Sequence, residues 1–238
     1  MTAGTLYLVS TPIGNPEDLT RRALRVLREV TLIAAENPET TQALLAPHRI
    51  ATPLTSYHYN NKEEKAAVLL SRLREGQSMA LVCDAGTPTV EDPGCYLITR
   101  AIRAGIRVTP VPGASVPLAA LVTTGWSGDR FTFAGTWPAH PIAQRRLLKE
   151  LAGSPYPIIL FVETQGLDST LEALLKTLGN RPAVLGIDLT MPTERVDRGT
   201  IRRLLTQRRT APLRGNMVLI LKGGRGRKRT GRHATTTT

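Results

Sequence analysis

Eleven residues after one apolar segment carry an unusual density of glycine, proline and acid. Residues 84–94 (DAGTPTVEDPG) hold two glycines, two prolines and three acids, and they follow the apolar run SMALVC. Gly86 allows the backbone to approach a ligand closely, and Pro88 and Pro93 stiffen the loop. Such a loop offers backbone N–H and C=O groups to a neutral or zwitterionic ligand. The alternative interpretation is a long solvated turn.

Two further loops also follow apolar segments that predict strands. Residues 11–16 (TPIGNP) match neither a Walker loop nor a dinucleotide-binding glycine motif, and an ordinary turn is the alternative. Residues 111–115 (VPGAS) end on Ser115, which either caps the next helix or offers its hydroxyl and the helix N-terminus to a ligand. Since ligands of open α/β sheets bind beyond the carboxyl ends of strands, all three loops are candidates for ligand binding.

Strands and helices must alternate to position these loops. In the first half, the patterns predict strands at 4–10, 31–36, 53–58, 78–84 and 106–111, and helices at 19–30, 38–45, 61–75 and 95–104. We expect Asp18 to cap the first helix. Strands separated by helices predict βαβ units and a mostly parallel sheet, which is an α/β fold.

The second half again mixes the two kinds of element. Its predicted strands are 131–135, 157–163, 183–190 and 216–222, and its predicted helices are 115–123, 142–152 and 167–178. We therefore expect two α/β lobes, residues 1–114 and 115–222. Residues 223–238 are basic and almost free of apolar side chains, so we expect a disordered tail.

Composition excludes several classes of protein. With 41% hydrophobic and 21% charged residues in 238, the chain is neither wholly disordered nor a coiled coil. No run approaches the ~18 apolar residues of a membrane helix, and the N-terminus does not resemble a signal peptide. Two cysteines and four scattered histidines predict neither a disulfide scaffold nor a metal site. We expect a cytoplasmic protein without a membrane or metal partner.

The net charge of +12 favours a polyanionic partner, usually nucleic acid. A genome that favours arginine is the alternative explanation. Candidate phosphate contacts lie on polar faces of predicted helices, where simple solvation is the alternative: Arg21, Arg22, Arg145, Arg146 and Lys149. We expect Trp126 and Trp137 to pack in the core rather than stack on bases.

Five motifs, in this order, resemble the tetrapyrrole-methylase superfamily: TPIGNPEDLT, LIAAE, LVCDAGTP, EDPG and VPGAS. They are most similar to the branch that methylates small-subunit ribosomal RNA, and the similarity runs from about Leu6 to Lys222. The resemblance implies two unequal α/β lobes, a homodimer, and S-adenosylmethionine in the cleft between the lobes. It further implies methylation of the ribose 2′-hydroxyl of a cytidine.

The resemblance also implies which residues bind the cofactor. These are Pro12, Asp84, Ala85, Gly86, Thr87, Ser115, Phe161 and Leu189. Because a 2′-hydroxyl is a poor nucleophile, a nearby base would help to remove its proton. The acids near the expected cleft are Glu36, Glu163 and Asp188, and each is a candidate for this base as well as for a structural hydrogen bond.

Departures from the family pattern fall where the acceptor would bind. Residues 37–41 (NPETT) stand where the family typically has Asp-Thr-Arg-His-Thr, and residues 162–166 (VETQG) lack its Pro-His-Arg set. Residues 186–191 (GIDLTM) lack an arginine and a lysine of the family. Two alternatives to RNA methylation follow. One is methylation of a small molecule such as a tetrapyrrole, and the other is a noncatalytic RNA-binding paralogue.

Overall fold

The computed structural model describes residues 2–210 and 214–224, without the side chains of residues 208–210. These residues form two compact units. The first comprises residues up to 119 together with 188–194, and the second comprises 120–187 and the described residues from 195 onwards. Most of the predicted tail, residues 225–238, lies outside the described residues. The predicted lobe boundaries at 114 and 222 stay a prediction.

The first unit is built on a parallel sheet. Its strands are β1 (Thr5–Val9), β2 (Leu32–Ala35), β3 (Leu54–Ser56), β4 (Met79–Val82) and β5 (Arg107–Val111). Its helices are α1 (Arg21–Glu29), α2 (Pro38–Leu45), α3 (Lys62–Arg74) and α4 (Gly94–Arg103), and α5 (Val116–Val122) begins in it. The strand order is β3-β2-β4-β1-β5, with every pairing parallel.

Side chains on the two faces of this sheet form two separate cores. One includes residues of α1 and α2, and the other includes residues of α3 and α4. After β1 the chain passes through α1 on one face of the sheet, and after β4 it passes through α4 on the opposite face. The connections therefore leave the neighbouring strands β1 and β4 towards opposite faces. That divergence creates the crevice in which open α/β sheets bind ligands.

Local sequence explains how α1 begins. Thr20 is its N-cap and accepts a hydrogen bond from the amide of Ala23, as short hydroxyl side chains do at this position. The prediction that Asp18 caps the helix is wrong, because Asp18 ends a short 3-10 turn, Pro16–Asp18. Ala23, Val26 and Leu27 then face the core at helical spacing.

The second unit has a mixed sheet. Its strands are β6 (Thr132–Thr136), β7 (Ile158–Val162), β8 (Pro182–Ile187), β9 (Arg195–Thr200) and β10 (Met217–Leu221), and its helices are α6 (Pro141–Leu151), α7 (Leu167–Leu178) and α8 (Ile201–Thr210). The order is β6-β7-β10-β8-β9, in which only β6 and β7 pair in parallel. The mostly parallel sheet predicted for the first half is therefore not repeated in this unit, and β9 and α8 were not predicted.

The core of the second unit covers one side of β7, β8 and β10, where residues of α6, α7 and α8 pack. Trp137 is partly buried against this core, as predicted. In the part of the chain that the structure describes, no helix is both long and apolar enough to cross a bilayer.

Candidate functional site

Three loops of the first unit join at the carboxyl ends of β1, β4 and β5. Thr11 and Gly86 exchange two backbone hydrogen bonds, N–O 2.8 and 3.2 Å. The hydroxyls of Ser10 and Thr87 lie 3.0 Å apart, and that of Thr87 donates to the carbonyl of Ala114 at 3.2 Å. The loops that the sequence singled out therefore form one hydrogen-bonded cluster at the crevice between β1 and β4.

A buried layer of polar groups supports this cluster. The hydroxyl of Thr11, a fully buried residue, donates to the carbonyl of Cys83 at 3.0 Å. The Cys83 thiol lies 3.4 Å from the carbonyl oxygen of Gly86. Burial raises the pKa of Cys83 to about 12, so the thiol stays protonated and can donate to that carbonyl.

Glycine is required where these loops meet. Gly86 has φ +82°, and a β-carbon there would lie 3.5 Å from Cγ2 of Ile13. At Gly113 a β-carbon would lie 2.9 Å from the β-carbon of Ser10. A side chain at 86 would be strained by its backbone conformation, and one at 113 would push β1 and the 111–115 loop apart.

The same loop holds two strained residues. Thr89 and Glu91 have φ of +81° and +62°, a region that side chains other than glycine rarely adopt. The carboxylate of Asp92 holds the bend, since it accepts hydrogen bonds from the amides of Thr89 (2.7 Å) and Gly94. Strain of this kind clusters at ligand sites, where the surrounding structure enforces it.

Two carboxyl groups, Glu36 after β2 and Asp84 after β4, lie beside the cluster. The amide of Asp84 donates to Oε2 of Glu36 at 3.4 Å, and the amide of Asn37 donates to Oδ1 of Asp84 at 3.1 Å. Partial burial raises the pKa of Glu36 and outweighs the lowering effect of the hydrogen bond from the Asp84 amide, and the charge of Asp84 is a smaller raising effect. Burial likewise raises the pKa of Asp84 against the hydrogen bond from the Asn37 amide. Glu36 is therefore the candidate base whose proton affinity the structure increases.

Residues 188–194 belong to the first unit although both flanking segments belong to the second. The hydroxyl of Thr190 accepts from the amide of Asn15 at 3.0 Å, which places buried Leu189 beside the loop after β1. Gly14 lies so close that a β-carbon there would be 2.8 Å from the carbonyl oxygen of Leu189. Asp188 and Thr190 have φ of +47° and +69°, so this segment is strained too.

The structure gathers most of the predicted site residues in the first unit. Pro12, Glu36, Asp84, Ala85, Gly86, Thr87, Ser115, Asp188 and Leu189 all lie in the loops just described or at their ends. Phe161 and Glu163 lie in the second unit. Phe161 belongs to β7 and packs edge-on against Phe133, with ring centroids 5.1 Å apart, and Glu163 is exposed directly after β7. The roles of all these residues stay predictions.

The predicted phosphate contacts are all exposed. Arg21 and Arg22 begin α1, and the Arg22 guanidinium donates to the carbonyl of Pro110. Arg145, Arg146 and Lys149 lie on α6, where Arg146 pairs with Glu150 at 3.1 Å. Among the described residues no cluster of His, Cys, Asp and Glu could hold a metal ion.

Sequence reasoning missed the residues that connect the loops. Ser10, Thr11 and Thr190 supply hydroxyl contacts between segments, and Asn37 caps α2 through its side chain while its amide reaches Asp84. One signal was present. Two consecutive hydroxyl residues, Ser10 and Thr11, directly follow an apolar strand, and both are buried. Buried hydroxyls need hydrogen-bond partners, which in this fold come from neighbouring loops.

Comparison with known proteins gives a consistent result. The sequence model for Tetrapyrrole (Corrin/Porphyrin) Methylases matches residues 5–205. The chain is 41% identical over 220 residues to "Ribosomal RNA small subunit methyltransferase I" of Halalkalibacterium halodurans, covering 92% of this chain and 76% of that protein. It is 43% identical over 225 residues to the protein of the same name in Xylella fastidiosa, covering 93% and 82%.

A solved structure also resembles the chain. Uroporphyrin-III-C-methyltransferase from Thermus thermophilus superposes with a TM-score of 0.66 at 26% identity, covering 92% of this chain and 94% of that one. The two α/β units described above are thus a known architecture of methyltransferases.

Proposed function

The chain belongs to the tetrapyrrole methylase family, and from that premise we propose that it transfers a methyl group from S-adenosylmethionine to small-subunit ribosomal RNA. The observation that carries this proposal is identity of about 40% to methyltransferases named for that RNA, over more than nine-tenths of this chain. The net charge of +12 agrees with a polyanionic substrate.

The loops of the first unit fit the methyl donor. S-adenosylmethionine carries a sulfonium and an ammonium, and it supplies an electrophilic methyl group when bound. The Glu36 and Asp84 carboxylates favour positive charge nearby, and Asp84 and Ala85 are exposed at the loop surface. Gly86 is buried and paired with Thr11, so it holds the loops together behind them. We assign cofactor binding to Pro12, Asp84, Ala85, Gly86, Thr87, Ser115 and Leu189; for Phe161 the assignment rests on the family resemblance alone.

The acceptor in this proposal is the ribose 2′-hydroxyl of a cytidine. Its oxygen forms a bond to the methyl carbon while the carbon–sulfur bond breaks, and the hydroxyl proton passes to a base. Glu36 suits this role best of the three candidate acids, because burial raises its pKa and hence its affinity for a proton. Asp188 accepts a hydrogen bond from the Thr193 hydroxyl at 3.0 Å, which fits a structural role.

We further propose that the protein works as a homodimer in the cytoplasm, where ribosomal RNA is found. Phosphates of the RNA would contact Arg21, Arg22, Arg145, Arg146 and Lys149, all of which are exposed. The departures at residues 37–41 change side chains next to Glu36. They leave the backbone contact from Asn37 to Asp84 in place.

The test is methyl transfer from tritiated S-adenosylmethionine to small ribosomal subunits that lack the modification. Three acceptors are compared: the subunits, the RNA extracted from them, and uroporphyrinogen III. We expect tritium in the RNA of the subunits, recovered as 2′-O-methylcytidine after nuclease digestion and mass spectrometry.

The other possible results of this assay distinguish the small-molecule methyltransferase from the noncatalytic RNA-binding paralogue. Tritium in uroporphyrinogen III alone would establish the small-molecule activity and reject the proposal. Binding of RNA without transfer to any acceptor would establish the noncatalytic paralogue. Methylation of a base, or of a ribose other than cytidine, would keep the enzyme and its RNA but correct the acceptor atom.

A further inference from the structure

A recess lies in the second unit, whereas the loops already described belong to the first. It is a pocket of about 670 Å³. Residues just before β6, just before β7 and just after β10 line it. Because β10 runs antiparallel to β7, with Leu221 opposite Ile158, the pocket lies at the end of the sheet opposite to Glu163. It is therefore separate from the functional residues predicted at the carboxyl end of β7.

Two aromatic side chains and two cations dominate the pocket wall. Trp126 and Tyr156 are both half-buried there. The Lys222 ammonium lies 6.0 Å from the Trp126 ring centroid, and the Arg130 guanidinium lies 5.5 Å from that of Tyr156. Core packing was the wrong prediction for Trp126, which lines this open pocket and is absent from the core that Trp137 joins.

The orientation of Arg130 is fixed by a specific contact. Its Nη1 donates to the Tyr156 hydroxyl at 2.7 Å, and Arg130 is an exposed residue. The acid among the lining residues is Asp129, whose carboxylate already accepts from the Ser127 hydroxyl at 2.7 Å. The pocket therefore presents two cations to a ligand and one acid already engaged locally.

The backbone after β10 is anchored along the pocket wall. The amide of Lys222 donates to the carbonyl of Pro182, and the amide of Gly224 donates to that of Ser154, both at 2.9 Å. A β-carbon at Gly223 would overlap the backbone of Pro155, so this close passage requires glycine. Five basic residues follow in the sequence between positions 225 and 232.

These features together select a ligand with flat rings and negative charge. Aromatic side chains bind unpaired bases by stacking, and cations beside them bind the phosphates. The volume lies within the ~300–1,000 Å³ range of ligand pockets. A duplex keeps its bases stacked inside, so only a single strand can present one to Trp126 and Tyr156.

We propose that this pocket binds a nucleotide of single-stranded RNA, with the base against Trp126 and Tyr156 and the phosphates at Arg130 and Lys222. In this proposal the pocket binds a part of the RNA other than the reacting ribose. The choice of RNA as the ligand rests on the proposed function.

The first experiment measures binding of a fluorescein-labelled single-stranded RNA of about ten nucleotides to the full chain by fluorescence anisotropy. We expect Trp126→Leu and Tyr156→Leu each to weaken binding about tenfold, through loss of stacking. Tyr59→Leu is the matched control. Tyr59 also lies under a cation, Lys62 at 5.2 Å, but it is exposed and does not line the pocket.

The second experiment varies salt between about 50 and 200 mM. Arg130→Gln and Lys222→Gln should each reduce the slope of log K against log salt by about 0.7 if each contacts one phosphate of a single strand. Arg103→Gln, an exposed arginine in the last turn of α4, controls for the change in net charge. Melting temperatures establish that each variant is folded.

Photo-cross-linking of the unmodified protein to 4-thiouridine RNA needs no variant. We expect cross-links at Trp126, at Tyr156 or at residues adjoining them in the chain. Unchanged affinity in folded Trp126→Leu and Tyr156→Leu proteins, or cross-links confined to other surfaces, would overturn the proposal. If binding depends on these aromatics but no methyl transfer occurs, the pocket stands and the proposed function fails.

Discussion

Glu36 and Asp84 hold their carboxyl groups beside each other through backbone contacts rather than through a neutralising cation. Burial raises the pKa of both groups, and it outweighs the lowering effect of the backbone hydrogen bond that each carboxylate accepts. A carboxyl whose pKa is higher in the folded than in the unfolded protein binds protons more tightly when folded. The free energy of unfolding therefore falls as pH rises from the unfolded pKa, near 4.5 for Glu36, through the raised folded value.

Glu36→Gln separates the chemical from the structural role of this residue. We expect the rate of methyl transfer to fall by about 10²–10⁴, the usual contribution of a general base, and to lose its rise with pH. The free energy of unfolding at neutral pH should increase, because glutamine can still accept from the Asp84 amide and carries no charge. Below about pH 4.5 that advantage should shrink.

Turnover and denaturant unfolding across pH measure both effects. Glu39→Gln, an exposed acid in the first turn of α2, is the control and should change neither. A Glu36→Gln enzyme within about threefold of the normal rate would remove Glu36 as the base, since a general base contributes far more.

Gly86→Leu tests the loop that joins the cluster. Leucine would be strained at φ +82° and would crowd Ile13 and Ala114, so we expect the Kd for S-adenosylmethionine to rise at least about tenfold by calorimetry. Gly105→Leu imposes a similar strain at φ +70° in open space and should leave the Kd unchanged. Equal Kd values in the two variants would show that the loop does not form the cofactor site.

At the scale of elements, the start of α2 connects the helix to the site. The Asn37 side chain accepts from the amides of Glu39 (2.9 Å) and Thr40 (3.3 Å), and its own amide donates to Asp84. Asparagine therefore caps this helix while the same residue positions the carboxylate after β4.

Removing this cap should be costly but local. We expect Asn37→Ala to lower the free energy of unfolding by about 1 kcal/mol and the melting temperature by about 2–4 °C. Asn37→Ser retains a capping oxygen and should lie within a few tenths of a kcal/mol of the original. Calorimetric melting of the three proteins checks this, and equal losses in both variants would show that the cap oxygen is irrelevant.

The helices and strands of the first unit could be predicted because the apolar residues in their sequences are the residues that the fold buries. All four residues of β2 and of β4 are buried, and both strands read as short apolar runs. β9 (RVDRGT) has no buried residue, and among the described strands it pairs with β8 alone. It could not be predicted because its charged residues give no apolar pattern. α8 places Ile201, Leu204 and Leu205 inward amid basic residues, a weaker pattern.

The candidate site was predictable only in part. Each loop follows a recognisable strand, but the pairing of Thr11 with Gly86 depends on β1 lying next to β4, which no local pattern encodes. The predicted strand 183–190 is wrong in its last three residues, because the backbone turns at Asp188 and Thr190 with positive φ. That turn places 188–194 with the first unit.

At the scale of the whole molecule, charge is the feature that distinguishes this chain. Of the net +12, five positive charges come from residues 225–232, so the rest of the chain retains 12 − 5 = +7. The described part of the chain has exposed basic residues on α1, α4 and α6. Affinity for RNA should therefore depend strongly on salt.

Deleting residues 225–238 should reduce that dependence without unfolding the protein. If all five charges meet phosphates of a single strand, the slope of log K against log salt falls by up to about 3.5. Binding of a small-subunit RNA fragment at several salt concentrations measures the slope, and a melting curve serves as the control. Identical slopes would exclude the segment from RNA binding.

The position of β1 has a consequence for synthesis of the protein. It is made before both of its neighbours, β4 and β5, with Thr5 opposite Arg107. At about 5–20 residues per second, a ribosome needs roughly 5–20 s to make the hundred residues from the end of β1 to the end of β5. Both edges of this apolar strand lack a partner until β4 is made, and the edge that pairs with β5 lacks one throughout the interval. Chaperone capture of the nascent chain should therefore end only after Val111 has left the exit tunnel.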